Sequence, residues 1–363
     1  MKTLLFTLEF PPFRGGIANY YGNLVNYWPL GEDLVVLDNN EGKLNRGSGF
    51  FAWRWAFGAL KRKVLKNKID YVLVGQILPL GTVAWFLSLF QPLKYAIFLH
   101  GLDWNLAQKN GRKRFLTGQI LSRADRIICA NGYVADQVGQ TYPQLNDKIG
   151  LVNPGISSGA PYVNPQDLIE LEASYNLTGK TILFSLGRLV RRKGIDLTIK
   201  ALDQIPSPLI GNLLYFIAGS GKEEDYLRSL VPAKLAKQIF FLGELSEREK
   251  WLWLKKCDIF IMPARNISGD FEGFGIVYLE ANLCGKPVIA GNFGGVRDAV
   301  VDNFNGLIVD SESPDSISRA IIKLASEPDL GKTLGEQGRV RAISEFNWEK
   351  QTAKILALIK ANI

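Results

Sequence analysis

Two carboxylates, Glu272 and Glu280, lie on either side of a Gly-Phe-Gly turn in the stretch "GDFEGFGIVYLEANLCG". The apolar residues after the turn predict a buried helix from Ile276 to Cys284. Glycines before a helix let backbone N–H groups approach a ligand, and the N-terminus of a helix attracts anions. An unpaired carboxylate on the apolar face of that helix would be costly. The arrangement suits a ligand that carries both phosphate and hydroxyl groups.

Each glutamate also has an ordinary structural interpretation. Glu272 suits the first turn of a helix, where the macrodipole favours an acid. Glu280 suits an ion pair with a nearby lysine or arginine. The rest of the chain must decide between these interpretations.

Two cations in "TILFSLGRLVRRKGIDLTIKAL" favour the ligand-binding interpretation. Arg188 and Lys193 follow a predicted strand and flank a turn that leads into a helix at Gly194. Arginine offers a planar fork and lysine a point charge, and both suit a diphosphate. A solvated surface charge run is the alternative, but the strand-turn-helix context argues against it. With the two glutamates, the cations point to a nucleotide sugar.

Further glycine loops follow predicted strands. Gly219 and Gly221 form a Gly-x-Gly without the third glycine of a dinucleotide fingerprint, so they are expected to shape the floor of a cleft. Gly15 and Gly16 precede a helix predicted near Ile17, which is a weak signal for an anion-approach loop.

His100, the single histidine of the chain, ends the predicted strand "KYAIFLHG". A residue at the end of a strand in a parallel sheet is well placed to contact a substrate. A lone histidine is usually structural, and no catalytic triad or metal site is predicted around it.

The size and composition of the chain indicate an ordinary globular protein of two domains. It has 363 residues, of which 47% are hydrophobic and 21% charged, with a formal net charge of +8. The first 170 residues contain 18 Lys and Arg against 12 Asp and Glu, without the basic block typical of nucleic-acid binding. The three cysteines lack metal-ligand spacing and are expected to be reduced. No signal peptide or membrane-spanning segment is predicted.

Short apolar strands alternate with helical stretches in two series. This alternation predicts parallel sheets covered on both faces. A Pro-, Gly- and Ser-rich segment from Asn153 to Pro165 reads as a linker. The predicted fold class is therefore α/β, with two Rossmann-like, doubly wound domains, 1–165 and 166–345, facing a central cleft.

The segment from Phe51 to Lys68 mixes aromatic and basic residues at helical spacing. Such a helix could lie on an anionic membrane surface, with its aromatics at the lipid boundary. The alternative is a surface helix whose aromatics pack on the sheet, and this alternative is favoured because basic amphipathic helices are common.

An ordered set of motifs resembles retaining glycosyltransferase family 4, whose members have the GT-B fold. The motifs are "FPPFRGGIANY", "HG", "GRLVRRKG", "GSG", "EGFGIVYLE", "GKPVIAGNFGG" and "NGLIV". The stretch from "FIMPARN" to "PVIAG" is most similar to bacterial mannosyltransferases that act on phosphatidylinositol lipids. In this resemblance the last helix, within 346–363, packs back on the first domain. Ser157 departs from the family pattern, because many relatives have an acid there.

The resemblance implies a role for each motif residue. Arg188 and Lys193 would hold the donor diphosphate, and Glu272 would bind the donor sugar hydroxyls. Glu280 would take the ribose hydroxyls, and His100 would lie near the transferred sugar. The implied donor-binding set is Gly15, Gly16, Arg188, Lys193, Gly219, Glu272, Gly273, Phe274, Gly275, Ile276 and Glu280. The implied catalytic set is His100, Arg188, Lys193 and Glu272.

The expected reaction moves a hexose from a nucleotide sugar to an acceptor hydroxyl with retention and without a metal. GDP-mannose is the leading donor, with UDP-hexoses as the alternative, and the acceptor is lipid-linked or a glycan. The expected location is cytoplasmic, with peripheral contact to an anionic membrane as an option. An epimerase, a phosphorylase and a silent nucleotide-sugar-binding protein remain alternatives. The missing third glycine disfavours a nicotinamide dehydrogenase.

Overall fold

A computed structural model describes residues 1–13, 15–42, 44 and 53–361. Contacts along the chain divide it into two compact units. Unit 1 comprises Met1–Gly155 together with Phe346–Ile363, and unit 2 comprises Ile156–Glu345. The change of unit therefore comes after Gly155, earlier in the predicted linker than the sequence-based boundary at residue 165.

Unit 1 contains a six-stranded sheet in the order β2-β1-β3-β4-β5-β6, and every pair of neighbours is parallel. The strands are β1 (Lys2–Phe6), β2 (Asp33–Leu37), β3 (Tyr71–Val74), β4 (Lys94–Leu99), β5 (Arg126–Cys129) and β6 (Ile149–Leu151). The helices around it are α1 (Gly16–Asn26), α2 (Arg54–Asn67), α3 (Thr82–Ser88), α4 (Leu102–Gln108), α5 (Gly111–Arg123) and α6 (Gly132–Thr141).

Unit 2 contains a second six-stranded parallel sheet, in the order β12-β11-β10-β7-β8-β9. Its strands are β7 (Thr181–Leu186), β8 (Leu213–Ala218), β9 (Ile239–Gly243), β10 (Ile259–Met262), β11 (Val288–Gly291) and β12 (Gly306–Val309). Its helices are α7 (Pro165–Tyr175), α8 (Ile195–Leu202), α9 (Ser207–Ile210), α10 (Glu224–Ser229), α11 (Glu247–Lys256), α12 (Ile276–Leu283), α13 (Val296–Ala299), α14 (Pro314–Ser326) and α15 (Pro328–Glu345). The prediction of two parallel α/β sheets is confirmed.

The central strands are buried on both faces because their residues are apolar without alternation. All residues of β3, β8, β10 and β11 are buried. In each sheet the order in which strands are added reverses at one place. This topological switch point lies between β1 and β3 in unit 1 and between β7 and β10 in unit 2. Loops that leave the carboxyl ends of two such strands diverge, and the crevice between them is where parallel sheets bind ligands.

The last helix, α16 (Trp348–Lys360), packs on unit 1. Trp348 approaches Tyr20 edge-on with ring centroids 5.2 Å apart, and a Cβ at Gly155 would lie 2.5 Å from Cδ2 of Trp348. The hydroxyl of Thr352 donates to the carbonyl of Tyr27 at 2.7 Å. These contacts make α16 part of the unit 1 core.

In the segment that mixes aromatic and basic residues, some aromatic side chains pack inward and another is exposed. Its helix is α2; Phe51 and Ala52 lie outside the described residues. Trp53 and Phe57 contact Phe86 at centroid distances of 6.3 and 5.6 Å, so these aromatics pack inward. Trp55 instead is 47% exposed. Among the described residues, no helix combines the length and apolar character that crossing a membrane requires.

Candidate active site

Lys193 and Glu272 meet at the crevice of unit 2. Lys193 ends a short 3-10 turn after β7, and Glu272 lies in the loop after β10. Gly194 then takes a positive φ of 72°, and a Cβ there would lie 2.2 Å from the carbonyl oxygen of Pro263. Glycine is therefore required where the two loops press together.

Lys193 and Glu272 form a buried ion pair. Nζ lies 2.7 Å from Oε2, with side chains 10% and 13% exposed. This Oε2 is buried and has no well-aligned hydrogen-bond donor in the described part of the chain. Burial alone would raise the pKa of Glu272, but the charges of Lys193, Arg192 and Arg188 outweigh it and hold the pKa below the usual value. Glu272 is therefore ionised near neutral pH and can still accept hydrogen bonds.

Arg192 and Asp270 add an ion pair beside this one; the sequence reasoning missed Arg192 and weighed Asp270 only as a weak magnesium ligand. Nε of Arg192 lies 3.1 Å from Oδ1 of Asp270. Both side chains come from the same two loops, "RRKG" and "GDFEG", so adjacency to Lys193 and Glu272 was the available signal. The exposed Arg188 acts on Glu272 only through its charge.

The N-terminus of α12 lies directly after this loop. Gly275 precedes the helix with a φ of +77°, and a Cβ there would lie 2.3 Å from the ring of Tyr278. The hydroxyl of Tyr278 donates to the carbonyl of Met262 at 2.6 Å, which fixes the helix start to the end of β10. No side chain among the described residues caps this N-terminus, and its first turn holds no acid. Its N–H groups are thus suited to an anion.

The neighbouring glycines have packing reasons for their identity. A Cβ at Gly219, where φ is +120°, would lie 2.0 Å from the carbonyl oxygen of Gly187. A Cβ at Gly294 would lie 2.7 Å from the carbonyl oxygen of Glu272. The loops after β8 and β11 therefore approach those after β7 and β10 closely, at the same sheet edge.

Glu280 has the ion pair that the sequence left open as an alternative. Its Oε1 lies 2.8 Å from Nζ of Lys250, which also lies 2.6 Å from Glu247. Burial raises the pKa of Glu280, although Lys250 acts in the opposite direction. The implied ribose contact stays a prediction.

The predicted residues of unit 1 lie at the carboxyl edge of its own sheet. Gly15 precedes α1 with extended backbone, and Oε2 of Glu9 lies 3.6 Å from where its Cβ would be. Gly16 begins α1, and a Cβ there would meet no atom of the described residues within 4 Å. Burial, with the charge of Asp103, raises the pKa of Glu9.

His100 follows β4 and is held at both its backbone and its ring. The N–H groups of His100 and Gly101 both donate to Oδ1 of Asp103, each at 2.9 Å. Its ring Nε2 lies 2.8 Å from the hydroxyl oxygen of Tyr21. Burial lowers the pKa of His100, although Asp103 acts in the opposite direction.

The matching family and two relatives of this chain are all glycosyltransferases. The family described as "Glycosyl transferases group 1" matches residues 169–341. The chain is 27% identical to a GDP-mannose-dependent alpha-(1-6)-phosphatidylinositol monomannoside mannosyltransferase of Mycobacterium tuberculosis, covering 99% of this chain and 98% of that protein. It is 28% identical to a GDP-mannose-dependent monoacylated alpha-(1-6)-phosphatidylinositol monomannoside mannosyltransferase of Corynebacterium glutamicum, covering 99% of this chain and 98% of that protein.

A solved structure confirms the fold. The structure of Anabaena HepE in complex with UDP superposes with a TM-score of 0.79 at 17% identity, covering 99% of this chain and all of that one. This superposition confirms the predicted GT-B fold. The family match and the named relatives confirm the resemblance to glycosyltransferases.

Proposed function

We propose that this glycosyltransferase transfers a hexose from a nucleotide sugar to an acceptor hydroxyl. The proposal starts from its glycosyltransferase group 1 domain at residues 169–341. The observation that carries this proposal is the buried Lys193–Glu272 pair beside the uncapped N-terminus of α12. Lys193 faces only Oε2 of Glu272, and the buried carboxylate has further lone pairs with which it would accept from a sugar hydroxyl. Lys193 and the helix start would bind the phosphates.

The proposed mechanism is metal-independent and retains the anomeric configuration. Glu272 already pairs with Lys193, so it suits hydrogen bonding to the sugar better than nucleophilic attack. The acceptor oxygen would form its bond to the anomeric carbon on the face from which the phosphate oxygen departs. The acceptor proton would pass to that phosphate oxygen. Lys193 and Arg188 would stabilise the negative charge growing on the leaving group.

The proposed donor is GDP-mannose, because two relatives that align over nearly the whole chain are named for it. A UDP-hexose is the alternative, supported by the UDP-bound structural neighbour. The proposed acceptor is a lipid-linked sugar or a glycan.

A donor panel with product analysis tests the proposal. The purified protein would be incubated with GDP-mannose or UDP-glucose, with and without phosphatidylinositol-containing vesicles, and the release of nucleoside diphosphate would be measured. We expect release that depends on the acceptor, and a product whose new linkage has the donor's anomeric configuration by NMR. An inverted linkage would refute the retaining mechanism. Absence of transfer from both donors, while thermal shift shows donor binding, would favour a binding protein instead.

A further inference from the structure

A short chain of hydrogen bonds connects His100 to the core of unit 1. Nε2 of His100 lies 2.8 Å from the hydroxyl oxygen of Tyr21. That hydroxyl lies 2.6 Å from the carbonyl oxygen of Gly75, at the end of β3. Tyr21 is fully buried, so water cannot replace either partner.

The chemistry of these groups fixes the direction of each hydrogen bond. A backbone carbonyl can only accept, so the single hydroxyl proton of Tyr21 is donated to Gly75. The tyrosine oxygen is then left to accept from His100, so Nε2 carries a proton. Burial keeps the pKa of His100 below its ordinary value, and the ring is therefore neutral near pH 7. A neutral imidazole protonated at Nε2 has an acceptor at Nδ1.

The surrounding groups make room for this arrangement and pack against it. A Cβ at Gly75 would lie 3.0 Å from Cε2 of Tyr21, so only glycine lets the tyrosine ring approach the carboxyl end of β3 this closely. The His100 ring lies nearly parallel to that of Phe98, with an interplanar angle of 10°. Within the described ranges Nδ1 of His100 has no hydrogen-bond partner.

We propose that Tyr21 is a positioning residue that holds His100 as the Nε2–H tautomer, so that Nδ1 accepts a hydrogen bond from a hydroxyl of a sugar bound at the carboxyl edge of the unit 1 sheet. The inference rests on the proposed function for the identity of the ligand. It adds the direction of the hydrogen bond: the ligand must donate its proton to Nδ1 of His100. A sugar lacking that hydroxyl would leave Nδ1 unpaired and be rejected.

The lone histidine makes a direct test practical. Protein labelled with ¹⁵N-histidine and free of a histidine tag gives a single set of ring signals. At pH 7 we expect a pyrrole-type signal from Nε2 and a pyridine-type signal from Nδ1. Tyr21→Phe removes the acceptor of the Nε2 proton, so its spectrum should move toward a mixture of tautomers. A wild-type proton on Nδ1, or an unchanged Tyr21→Phe spectrum, would overturn the proposal.

Tyr20→Phe is the matched control. Tyr20 is adjacent in sequence and belongs to the same aromatic cluster, but its buried hydroxyl has no hydrogen-bond partner in the described chain. This substitution should leave the histidine signals unchanged. Circular dichroism and melting temperature would confirm that both variants fold.

Donor titration tests the ligand contact separately. Adding GDP-mannose or UDP-glucose should move the Nδ1 signal more than the Nε2 signal, and Tyr21→Phe should lower kcat/KM about tenfold. A shift confined to Nε2 would overturn the assigned direction. If neither donor supported transfer while the tautomer matched expectation, the proposed function would fail and the role of Tyr21 in the free protein would stand.

Discussion

At the scale of single residues, the Lys193–Glu272 pair connects charge to ligand binding. A buried ion pair gains little net stability, because desolvation offsets most of the Coulomb attraction. Both partners are almost fully buried here, and the absence of a side chain at Gly194 lets the loops that carry them approach closely. The pair is better explained by a ligand that each partner binds than by stability.

Replacing either partner should reduce transfer strongly. We expect Lys193→Ala and Glu272→Ala each to lower kcat/KM by about 10²–10³-fold, because each removes a preorganised charge from the donor site. The measurement is nucleoside diphosphate release under initial-rate conditions. Lys256→Ala removes a lysine paired with Glu172 at 2.6 Å elsewhere in unit 2 and should retain activity. Wild-type rates in both site variants would show that the site is elsewhere.

The same pair should make stability depend on pH in the acid range. The folded pKa of Glu272 lies below its ordinary value, so the unfolded state binds its proton first as pH falls. Its contribution to the free energy of unfolding is therefore complete above the unfolded pKa of 4.5 and is lost as pH falls toward the folded value. Glu272→Gln should be less stable than wild type near neutral pH, and the difference in melting temperature should shrink below that pKa. A constant difference would contradict this assignment.

At the scale of elements, glycine at the start of α12 is required for two separable reasons. Gly275 has a positive φ, and a Cβ there would also collide with Tyr278. Gly285, after the end of the same helix, has a positive φ of 69°, but no atom in the described part of the chain lies within 4 Å of its Cβ position.

Comparing alanine at these two positions should separate strain from collision. Gly285→Ala should cost about 1–2 kcal/mol of unfolding free energy, the price of a left-handed conformation. Gly275→Ala should cost more, because the Tyr278 ring must also move, and it should weaken donor binding. Urea unfolding and a donor titration are the measurements. Equal costs at the two sites would show that the ring yields freely.

The sequence predicted the elements well but not their side-chain partners. Strand and helix positions follow from local apolar patterns, so Glu272, Lys193 and His100 were correctly placed just after strands. Partners depend on strand order: Tyr21 and His100 are 79 residues apart, and the buried pair Arg265–Asp196 spans 69. Arg265 and Asp196 approach within 2.8 Å only because β10 lies beside β7, and no local pattern encodes that.

At the scale of the whole molecule, the contacts of Trp53 and Phe57 with Phe86 agree with the favoured surface-helix interpretation, and the exposed residues of α2 are those that the alternative, a proposed membrane contact, would use. Trp55 and Leu65 on α2 are 47% and 60% exposed, and Lys61, Arg62 and Lys66 on the same helix are exposed. Exposed aromatic and basic groups on one helix suit the boundary of an anionic bilayer.

A vesicle-flotation experiment tests this contact. Binding should require anionic lipid, decline with salt, and weaken in a Trp55→Ser, Leu65→Ser double variant. Val340→Ser removes an apolar side chain of similar exposure, 57%, from α15 of unit 2 and serves as control. Equal flotation with neutral and anionic vesicles, or an equal effect of the control, would refute a contact through α2.

The placement of α16 in unit 1 has a consequence for biosynthesis. Trp348, Ile355 and Ile359 are buried in the same core as Leu5 and Phe98. A ribosome makes residues 346–361 only after all of unit 2, so the unit begun first is completed last. Until then, unit 1 on the nascent chain exposes the apolar surface that α16 will cover. A fragment ending at residue 345 should bind a hydrophobic dye and the chaperones that recognise such surfaces, and an added peptide of residues 346–361 should suppress both.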